Sequence, residues 1–141
     1  MGSKDFIIEN GVLIKYVGHD KEVTIPACVT EIGEEAFYWC NAESVIIPGN
    51  VTKIGYSAFE NSHLKSIVIK DGVIEISARA FMECVYLVDI TLPASMKSIG
   101  YKAFLVHYHV DGLNERRTIR APKNSYAEQY AKDNGIRFIA I

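Results

Sequence analysis

The stretch "VTIPACVTEIGEEAF", residues 23–37, recurs three more times along the chain. The later copies are "VIIPGNVTKIGYSAF" (45–59), "IVIKDGVIEISARAF" (67–81) and "ITLPASMKSIGYKAF" (90–104). Their Ala-Phe pairs begin at Ala36, Ala58, Ala80 and Ala103, at intervals of 22, 22 and 23 residues. A unit this short cannot bury its apolar side chains alone. The repeat therefore predicts a solenoid whose coils stack and place equivalent side chains in columns.

Two extended segments are expected in each repeat. Alternation such as Val23/Ile25 predicts a short strand with one inward side. A proline ends that strand in three of the four copies, because proline cannot donate to a sheet ladder. The V-x-x-I spacing that follows, from Val29 to Ile32 in the first copy, predicts a second extended piece.

The second half of each repeat is expected to turn. Glycine recurs at Gly33, Gly55 and Gly100, with Ser77 in the third copy, and it predicts a turn with positive φ. The Ala-Phe segment predicts a short helical turn. Its phenylalanine should fill the interior in every coil, at Phe37, Phe59, Phe81 and Phe104.

Both ends of the solenoid carry sequences typical of caps. "FIIENGVLIKY" (6–16) contains two β-rich runs around Asn10-Gly11, a strong hairpin signal. "SYAEQYAKDNG" (125–135) predicts a helix, since Ser125 and Glu128 have capping-box spacing and Gly135 suits the C′ position. Residues 136–139 should form a closing strand.

The slots L-x-x-I-x-I-P-x-x-V-x-x-I-G-x-x-A-F-x-x-C resemble the BspA-like leucine-rich repeats of bacterial surface proteins. The clearest copies are "LVDITLPASMKSIGYKAF" (87–104) and "VTIPACVTEIGEEAFYWC" (23–40). The chain departs from the pattern at Ala42, Lys70 and Ser77, and by extra residues around 107–117. The resemblance implies an α/β solenoid, a right-handed leucine-rich-repeat superhelix with short strands, an N-terminal β-hairpin cap and a C-terminal helical cap.

One leucine-rich-repeat domain is predicted over residues 1–141. It divides into a hairpin cap (4–22), four repeats (23–117, the last with an insertion), and a partial repeat with the C-terminal cap (118–141). The net charge of −2 and pI near 6.1 provide no broad positive field for nucleic acid. No apolar run approaches the roughly 20 residues of a membrane span, so no membrane insertion is expected. The compartment stays open: extracellular or cell surface for a fragment of a secreted protein, cytoplasmic otherwise.

The three cysteines show no metal or redox spacing. Cys40 and Cys84 occupy the same slot two repeats apart, so about 10 Å should separate them at a strand spacing of about 4.8 Å. That exceeds the Cα separation of about 7 Å that a disulfide tolerates. We expect both to remain thiols.

The strands offer one candidate binding surface. The outward positions are Thr24, Ile46, Val68, Thr91 and Arg120, and beside them run Glu22, Ser44, Ser66, Asp89 and Thr118. Such residues simply suit strands, which is one interpretation. The other is that Ile46 and Val68 form an exposed apolar patch for a partner.

Aromatic residues offer a second candidate. Tyr38 and Trp39 stand where the next repeats have Glu60-Asn61 and Met82-Glu83, and Tyr56 and Tyr101 share a slot with Glu34 and Ala78. Polar residues in equivalent slots predict that these positions face solvent. Exposed Trp and Tyr anchor interfaces, although local packing along the coil would explain them equally.

The segment "HYHVDGLNERR" (107–117) holds six or seven residues more than the repeat requires. His107, His109 and Asp111 alternate, so a strand would place three metal ligands on one side. Nothing else in the sequence supports a metal site there. A tolerated insertion bearing solvated charges is the alternative.

The sequence contains no GxSxG, HExxH, P-loop or GxGxxG motif, and His19 and His63 fall in turns without an evident partner. We therefore predict a non-catalytic protein-binding module without a cofactor, with a host or matrix protein as partner through adhesion. The alternatives are an intracellular interaction scaffold, and a metal- or glycan-binding module built on 107–117. The oligomeric state is not predicted.

Overall fold

Short strands of successive coils form two six-stranded sheets in the computed structural model, which describes residues 3–107 and 112–141. The strands are β1 (Phe6–Glu9), β2 (Val12–Tyr16), β3 (Glu22–Thr24), β4 (Glu31–Ile32), β5 (Ser44–Ile47), β6 (Lys53–Ile54), β7 (Ser66–Ile69), β8 (Glu75–Ile76), β9 (Asp89–Thr91), β10 (Ser98–Ile99), β11 (Thr118–Ala121) and β12 (Arg137–Ala140). The long-strand sheet has the order β12-β11-β9-β7-β5-β3, and the short-strand sheet has the order β1-β2-β4-β6-β8-β10. The helices are α1 (Leu113–Arg116) and α2 (Tyr126–Asp133), and a 3₁₀ turn covers Ser3–Asp5.

The parallel register joins equivalent residues of neighbouring repeats. Val45 lies between Val23 and Ile67 in the long-strand sheet, and Ile54 lies between Ile32 and Ile76 in the short-strand sheet. All these side chains are buried. The predicted leucine-rich-repeat solenoid, with a hairpin at one end and a helix at the other, is confirmed.

The phenylalanines form one column through the interior. Ring centroids are 4.6 Å apart between Phe37 and Phe59, 5.1 Å between Phe59 and Phe81, and 5.0 Å between Phe81 and Phe104. The planes of neighbouring rings differ by 10° at most. The spacing equals the distance between paired strands, about 4.8 Å, so each ring stacks on its equivalent in the next coil. The inward column predicted from the repeat is confirmed.

The recurring glycine does not have the positive φ that we predicted. Gly33, Gly55 and Gly100 lie outside the left-handed region. A Cβ built at Gly33 would lie 2.7 Å from the Leu13 carbonyl oxygen, and one at Gly55 would lie 2.7 Å from that of Ile32. Glycine is therefore favoured because the neighbouring coil passes very close to the backbone. Ser77 shows that the contact is tight but can be accommodated.

The Ala-Phe segment is also not helical. Its backbone makes successive i→i+3 turns, such as Tyr38 N–H to Glu35 O (3.1 Å). Alternate N–H groups donate to the next coil instead, including Phe37 N–H to Ala58 O (2.7 Å). Two residues in each of the first three repeats adopt positive φ, as Glu35 (57°) and Trp39 (60°) do in the first. Hydrogen bonds between coils thus replace the helical bonds that the sequence suggested.

The caps fold as predicted. Asn10 (φ 52°) and Gly11 (φ 81°) form the turn between β1 and β2, and β2 then pairs in parallel with β4. Ser125 Oγ accepts from Glu128 N–H (3.2 Å), and Gly135 (φ 66°) ends α2. The bonds from Gly135 N–H to Lys132 O and from Ile136 N–H to Ala131 O form a Schellman motif. The closing strand is β12, one residue later than predicted.

The three cysteines are free thiols with different surroundings. Cys28 is exposed, Cys40 is half-buried and Cys84 is fully buried. Cys84 Sγ donates to Phe59 O (3.1 Å) and lies 3.3 Å from Ser62 Oγ. Burial raises the pKa of the Cys84 thiol to about 12, so it stays protonated in the folded protein.

Candidate functional site

The outward side chains of the long-strand sheet form a continuous row, which we call the outer row. Ile46 lies in register between Thr24 and Val68, and Thr91 lies between Val68 and Arg120. Ile46 is 37% exposed, and Val68, Thr91 and Arg120 are half-buried. Ile46 and Val68 are therefore adjacent apolar side chains, with a threonine on either side of the pair.

The sequence did not identify one member of the outer row. Ile139 of β12 pairs with Arg120 and is 38% exposed. Helix α2 separates the two strands along the chain, so the repeat spacing that located the other members is interrupted. Only the expectation that residues 136–139 close the long-strand sheet could have indicated it.

The second outward row differs from the prediction at one position. Thr118 is 4% exposed, although we expected it to face solvent beside Asp89. It lies in register between Asp89 and Arg137, whose longer side chains flank it. Arg120 Nη2 lies 3.7 Å from Asp89 Oδ1, an exposed ion pair of small energetic value.

Trp39 is the most unusual exposed side chain in the repeats. Trp39 is 60% exposed, and its backbone φ is 60°. The equivalent Asn61 and Glu83 have φ values of 61° and 60°, so the coil geometry imposes this conformation. The left-handed region costs an ordinary L-residue about 1–2 kcal/mol, and asparagine tolerates it best. A bulky indole at this position is therefore not what the backbone favours.

Tyr38 lies against Trp39, with ring centroids 6.1 Å apart and an edge-on angle of 75°. It is half-buried, less exposed than we predicted. The prediction relied on polar residues in the slots of Tyr38 and Trp39, yet Glu60, equivalent to Tyr38, and Glu83, equivalent to Trp39, are only 7% and 9% exposed. Glu60 is buried because it accepts from Ser57 Oγ (2.7 Å) and from Arg79 Nη2 (3.2 Å). Polar character thus did not indicate exposure here.

Tyr56 and Tyr101 are exposed by 41% and 73%. Arg79 Nη1 donates to the Tyr56 hydroxyl (3.1 Å), and its guanidinium carbon is 5.7 Å from the ring centroid. Lys102 Nζ lies 4.9 Å from the Tyr101 ring centroid. Both rings therefore have a cation nearby, as in cation–π pairs. For Tyr56 these contacts favour the local-packing interpretation over that of a binding anchor.

Of the three candidate metal ligands in the insertion, His107 lies among the described residues. His109 and Asp111 lie outside the described residues. His107 N–H donates to Glu83 Oε1 (2.9 Å), and His107 Nδ1 contacts the same oxygen. Within residues 3–107 and 112–141, no group of three His, Cys, Asp or Glu side chains could hold a metal ion.

We expected the charges of this insertion to be solvated, but Arg117 is buried. It is 2% exposed and donates to three backbone carbonyls: Nε to Leu87 (2.8 Å), Nη1 to Phe104 (2.7 Å) and Nη2 to Cys84 (3.0 Å). Burial lowers its pKa. The guanidinium thus ties the last described turn of the insertion to the coils beneath it.

His63 has partners that the sequence did not suggest. Its Nδ1 lies 3.1 Å from Asn41 Oδ1, and its ring stacks against Tyr86 with centroids 5.8 Å apart. His19, Asn41, His63 and Tyr86 recur at one repeat spacing and line a groove with Lys21, Glu43 and Lys65. Sequence reasoning missed this groove because the histidines were considered singly.

No helix among the described residues is long and apolar enough to cross a lipid bilayer.

Solved structures of bacterial leucine-rich repeat proteins resemble this fold. A leucine-rich repeat protein of T. pallidum is 27% identical, with a TM-score of 0.64 over 85% of this chain and 70% of that one. A leucine-rich repeat protein of Bacteroides capillosus is 24% identical, with a TM-score of 0.61 over 75% and 99%, which shows the fold alone. A leucine rich cell surface protein of Faecalibacterium prausnitzii is 26% identical, with a TM-score of 0.56 over 82% and 42%.

A comparison with curated protein sequences gives no significant match. The family model described as the BspA type leucine rich repeat region matches residues 16–121 in six copies. That match begins at the end of β2 and extends to the end of β11, so it contains the phenylalanine column and most of the outer row. The chain belongs to the BspA-type leucine-rich repeat family.

Proposed function

We propose that this protein is a non-catalytic protein-binding module that acts in adhesion at a cell surface. Leucine-rich repeat domains generally mediate protein–protein interaction, and a solenoid presents an extended, rigid surface for it. The observation that carries the proposal is Trp39, exposed by 60% on a backbone conformation that disfavours it.

Trp39 is suited to anchor a partner. Tryptophan is enriched among the residues that contribute most to protein interfaces. Its backbone N–H donates to Glu60 O (3.1 Å), so the coil uses the main chain and leaves the indole to solvent. A tryptophan that lowers stability and contributes nothing to the buried core is better explained by a role in binding than by a role in folding.

The outer row supplies the second part of the proposed surface. Ile46 and Val68 are adjacent apolar side chains, with Thr24 and Thr91 on either side and Arg120 and Ile139 beyond. An apolar centre with a polar rim is the usual composition of a recognition interface. We assign this row and Trp39, with Tyr38 beside it, to the partner. Tyr56 and Tyr101 are placed at the periphery, since each already has a cation nearby.

The cell-surface part of the proposal draws on the Faecalibacterium prausnitzii structure, whose name describes a cell surface protein. This chain spans 42% of that protein. An intracellular scaffold using the same surface is the alternative. Immunolabelling of intact cells of the source organism would separate them, because only a surface protein is labelled without permeabilisation.

Affinity capture from host matrix extracts tests the binding function. The immobilised domain, Trp39→Asn and Ile46→Thr are compared with Ile74→Thr, a control at an isoleucine of similar exposure (40%, against 37% for Ile46). We expect at least one matrix protein whose capture falls about tenfold with Trp39→Asn or Ile46→Thr and is unchanged with Ile74→Thr. Capture that is equal for all four proteins would remove both residues from the site.

A further inference from the structure

A groove of about 400 Å³ runs across the repeats just before strands β3, β5, β7 and β9. We call it the pre-strand groove. Seven side chains line it in two files. The outer file is His19, Asn41, His63 and Tyr86, and the inner file is Lys21, Glu43 and Lys65. Its volume lies in the range of small-ligand sites.

The backbone fixes the spacing of these side chains. Glu43 N–H donates to Lys21 O (2.7 Å), and Lys65 N–H donates to Glu43 O (2.8 Å). Consecutive members of a file are therefore one strand spacing apart, about 4.8 Å. A ligand would not have to order a loop, which lowers the entropic cost of binding.

The inner file is positively charged in a protein of net charge −2. Lys21 Nζ lies 3.0 Å from Glu43 Oε2 and Lys65 Nζ lies 3.2 Å from Glu43 Oε1, so two lysines against one glutamate leave a formal charge of +1. Hydrogen bonds from Lys21 and Lys65 lower the pKa of Glu43, which stays ionised. Each ammonium has three N–H donors, so each keeps donors for a ligand after bonding Glu43.

The outer file adds an exposed aromatic face at Tyr86, because His63 stacks on only one side of that ring. The His63 and Tyr86 rings stack with centroids 5.8 Å apart and planes 26° from parallel, and Tyr86 is 52% exposed. Asn41 Oδ1 bonds His63 Nδ1, which holds the imidazole in this orientation. The carbon-bound hydrogens of a sugar ring pack well on such a face.

We propose that the pre-strand groove binds an anionic oligosaccharide of the uronate type. A sugar ring packs on the exposed face of Tyr86, and the carboxylates of the oligomer accept hydrogen bonds from Lys21 and Lys65. Both ammoniums lie within 3.2 Å of the Glu43 carboxylate, so the two charges are close together and can bind carboxylates of neighbouring sugar residues in one oligomer. An acidic peptide such as polyglutamate offers the same carboxylates but has no ring to pack on the exposed Tyr86 side chain, so it fits less well.

Isothermal titration calorimetry with tetragalacturonate tests this site, with maltotetraose as a neutral sugar and tetraglutamate as an acidic peptide. The variants are Tyr86→Ala and Lys65→Ala. The control is Lys97→Ala, an exposed lysine outside the groove. All of these side chains are exposed, so circular dichroism should show unchanged folding.

We expect tetragalacturonate to bind at least about tenfold tighter than either competitor, a difference of 1.4 kcal/mol. Tyr86→Ala and Lys65→Ala should each weaken it about fivefold or more, and Lys97→Ala should not. Absence of measurable heat, equal binding of tetraglutamate, or unchanged affinity in Tyr86→Ala would each overturn the proposal. Tyr86→Ala and Lys65→Ala leave Trp39 and Ile46 unchanged, so failure of this proposal is distinguishable from failure of the matrix capture.

Discussion

Phe37 and Phe59 stack face to face, with ring centroids 4.6 Å apart and planes 10° from parallel, although 22 residues separate them in sequence. The main chain reinforces the contact, since Phe37 N–H donates to Ala58 O (2.7 Å). Side-chain packing and backbone hydrogen bonding thus join the same two coils at the same point. Each coil depends on its neighbour for both.

Phe59→Ala should be strongly destabilising, because Phe59 is fully buried between two other rings. We expect a loss of about 3–5 kcal/mol in the free energy of unfolding, measured by urea denaturation. Tyr101→Ala, at a ring 73% exposed, is the control and should change stability by less than about 0.5 kcal/mol. A loss for Phe59→Ala below about 1 kcal/mol would mean that the column contributes little to stability.

Trp39→Asn separates stability from binding. Asparagine is the natural residue at the equivalent position, Asn61, and it tolerates positive φ. The variant should therefore be as stable as the parent, or more stable by up to about 1–2 kcal/mol. Partner capture should fall at the same time. Thermal melting measures the first effect. A clear loss of stability would show that the indole supports the fold after all.

Arg117→Met tests the buried guanidinium. The change leaves the buried carbonyls of Leu87 and Phe104 without the Arg117 donor, whereas Cys84 O still accepts from Leu87 N–H (3.2 Å). An unsatisfied buried polar group costs about 1–3 kcal/mol, so we expect a loss of at least about 2 kcal/mol by chemical denaturation. Arg116→Met, at the exposed neighbour, should have almost no effect. Equal losses for the two variants would contradict the role of Arg117.

Cys84 should make folding stability depend on alkaline pH. Its pKa is raised from 9.0 to about 12 by burial, so the unfolded chain ionises first as pH rises. The stability that the neutral thiol contributes is complete below pH 9 and is lost between pH 9 and about 12.

Urea midpoints at pH 8 and pH 10.5 measure this effect, with Cys84→Ala as the reference. The decline should be smaller in that variant, although burial of Tyr130, whose pKa is also raised to about 12, adds a similar trend in both. An identical decline in the parent protein and in Cys84→Ala would show that Cys84 does not cause the pH dependence. Alkylation at pH 8 should modify the exposed Cys28 and leave Cys84 protected until unfolding.

The sequence predicted the coils well where one cause explains a recurring residue. Phenylalanine recurs at Phe59 and its equivalents because each coil has the same interior position to fill. The spacing alone therefore predicted the column. The prediction of a positive φ at Gly33 was wrong because glycine is favoured for two reasons, a positive φ or a close backbone approach. The residue type alone does not distinguish them. The turns at Phe37 were mistaken for helix because their hydrogen bonds go to another coil, which a local pattern does not show.

The candidate surfaces were less predictable, since exposure depends on the neighbouring coil. Glu60 and Glu83 are polar and nevertheless buried, because the next coil supplies their partners. Arg117 was predicted as a solvated charge, but three backbone carbonyls surround its buried guanidinium. Ile139 joins the outer row only through a strand that follows α2, beyond the reach of the repeat spacing.

The phenylalanine column changes chemistry at both ends, where Tyr16 stacks on Phe37 (5.0 Å) and Tyr130 lies beside Phe104 (6.1 Å). Tyr16 directs its hydroxyl outward to accept from Asp20 N–H (3.1 Å). Duplication of one interior 22-residue unit in the gene would lengthen the column while both phenolic ends keep their surroundings. Such a domain can grow or shrink by whole units during evolution, and the same property allows an engineer to insert or remove a repeat in frame.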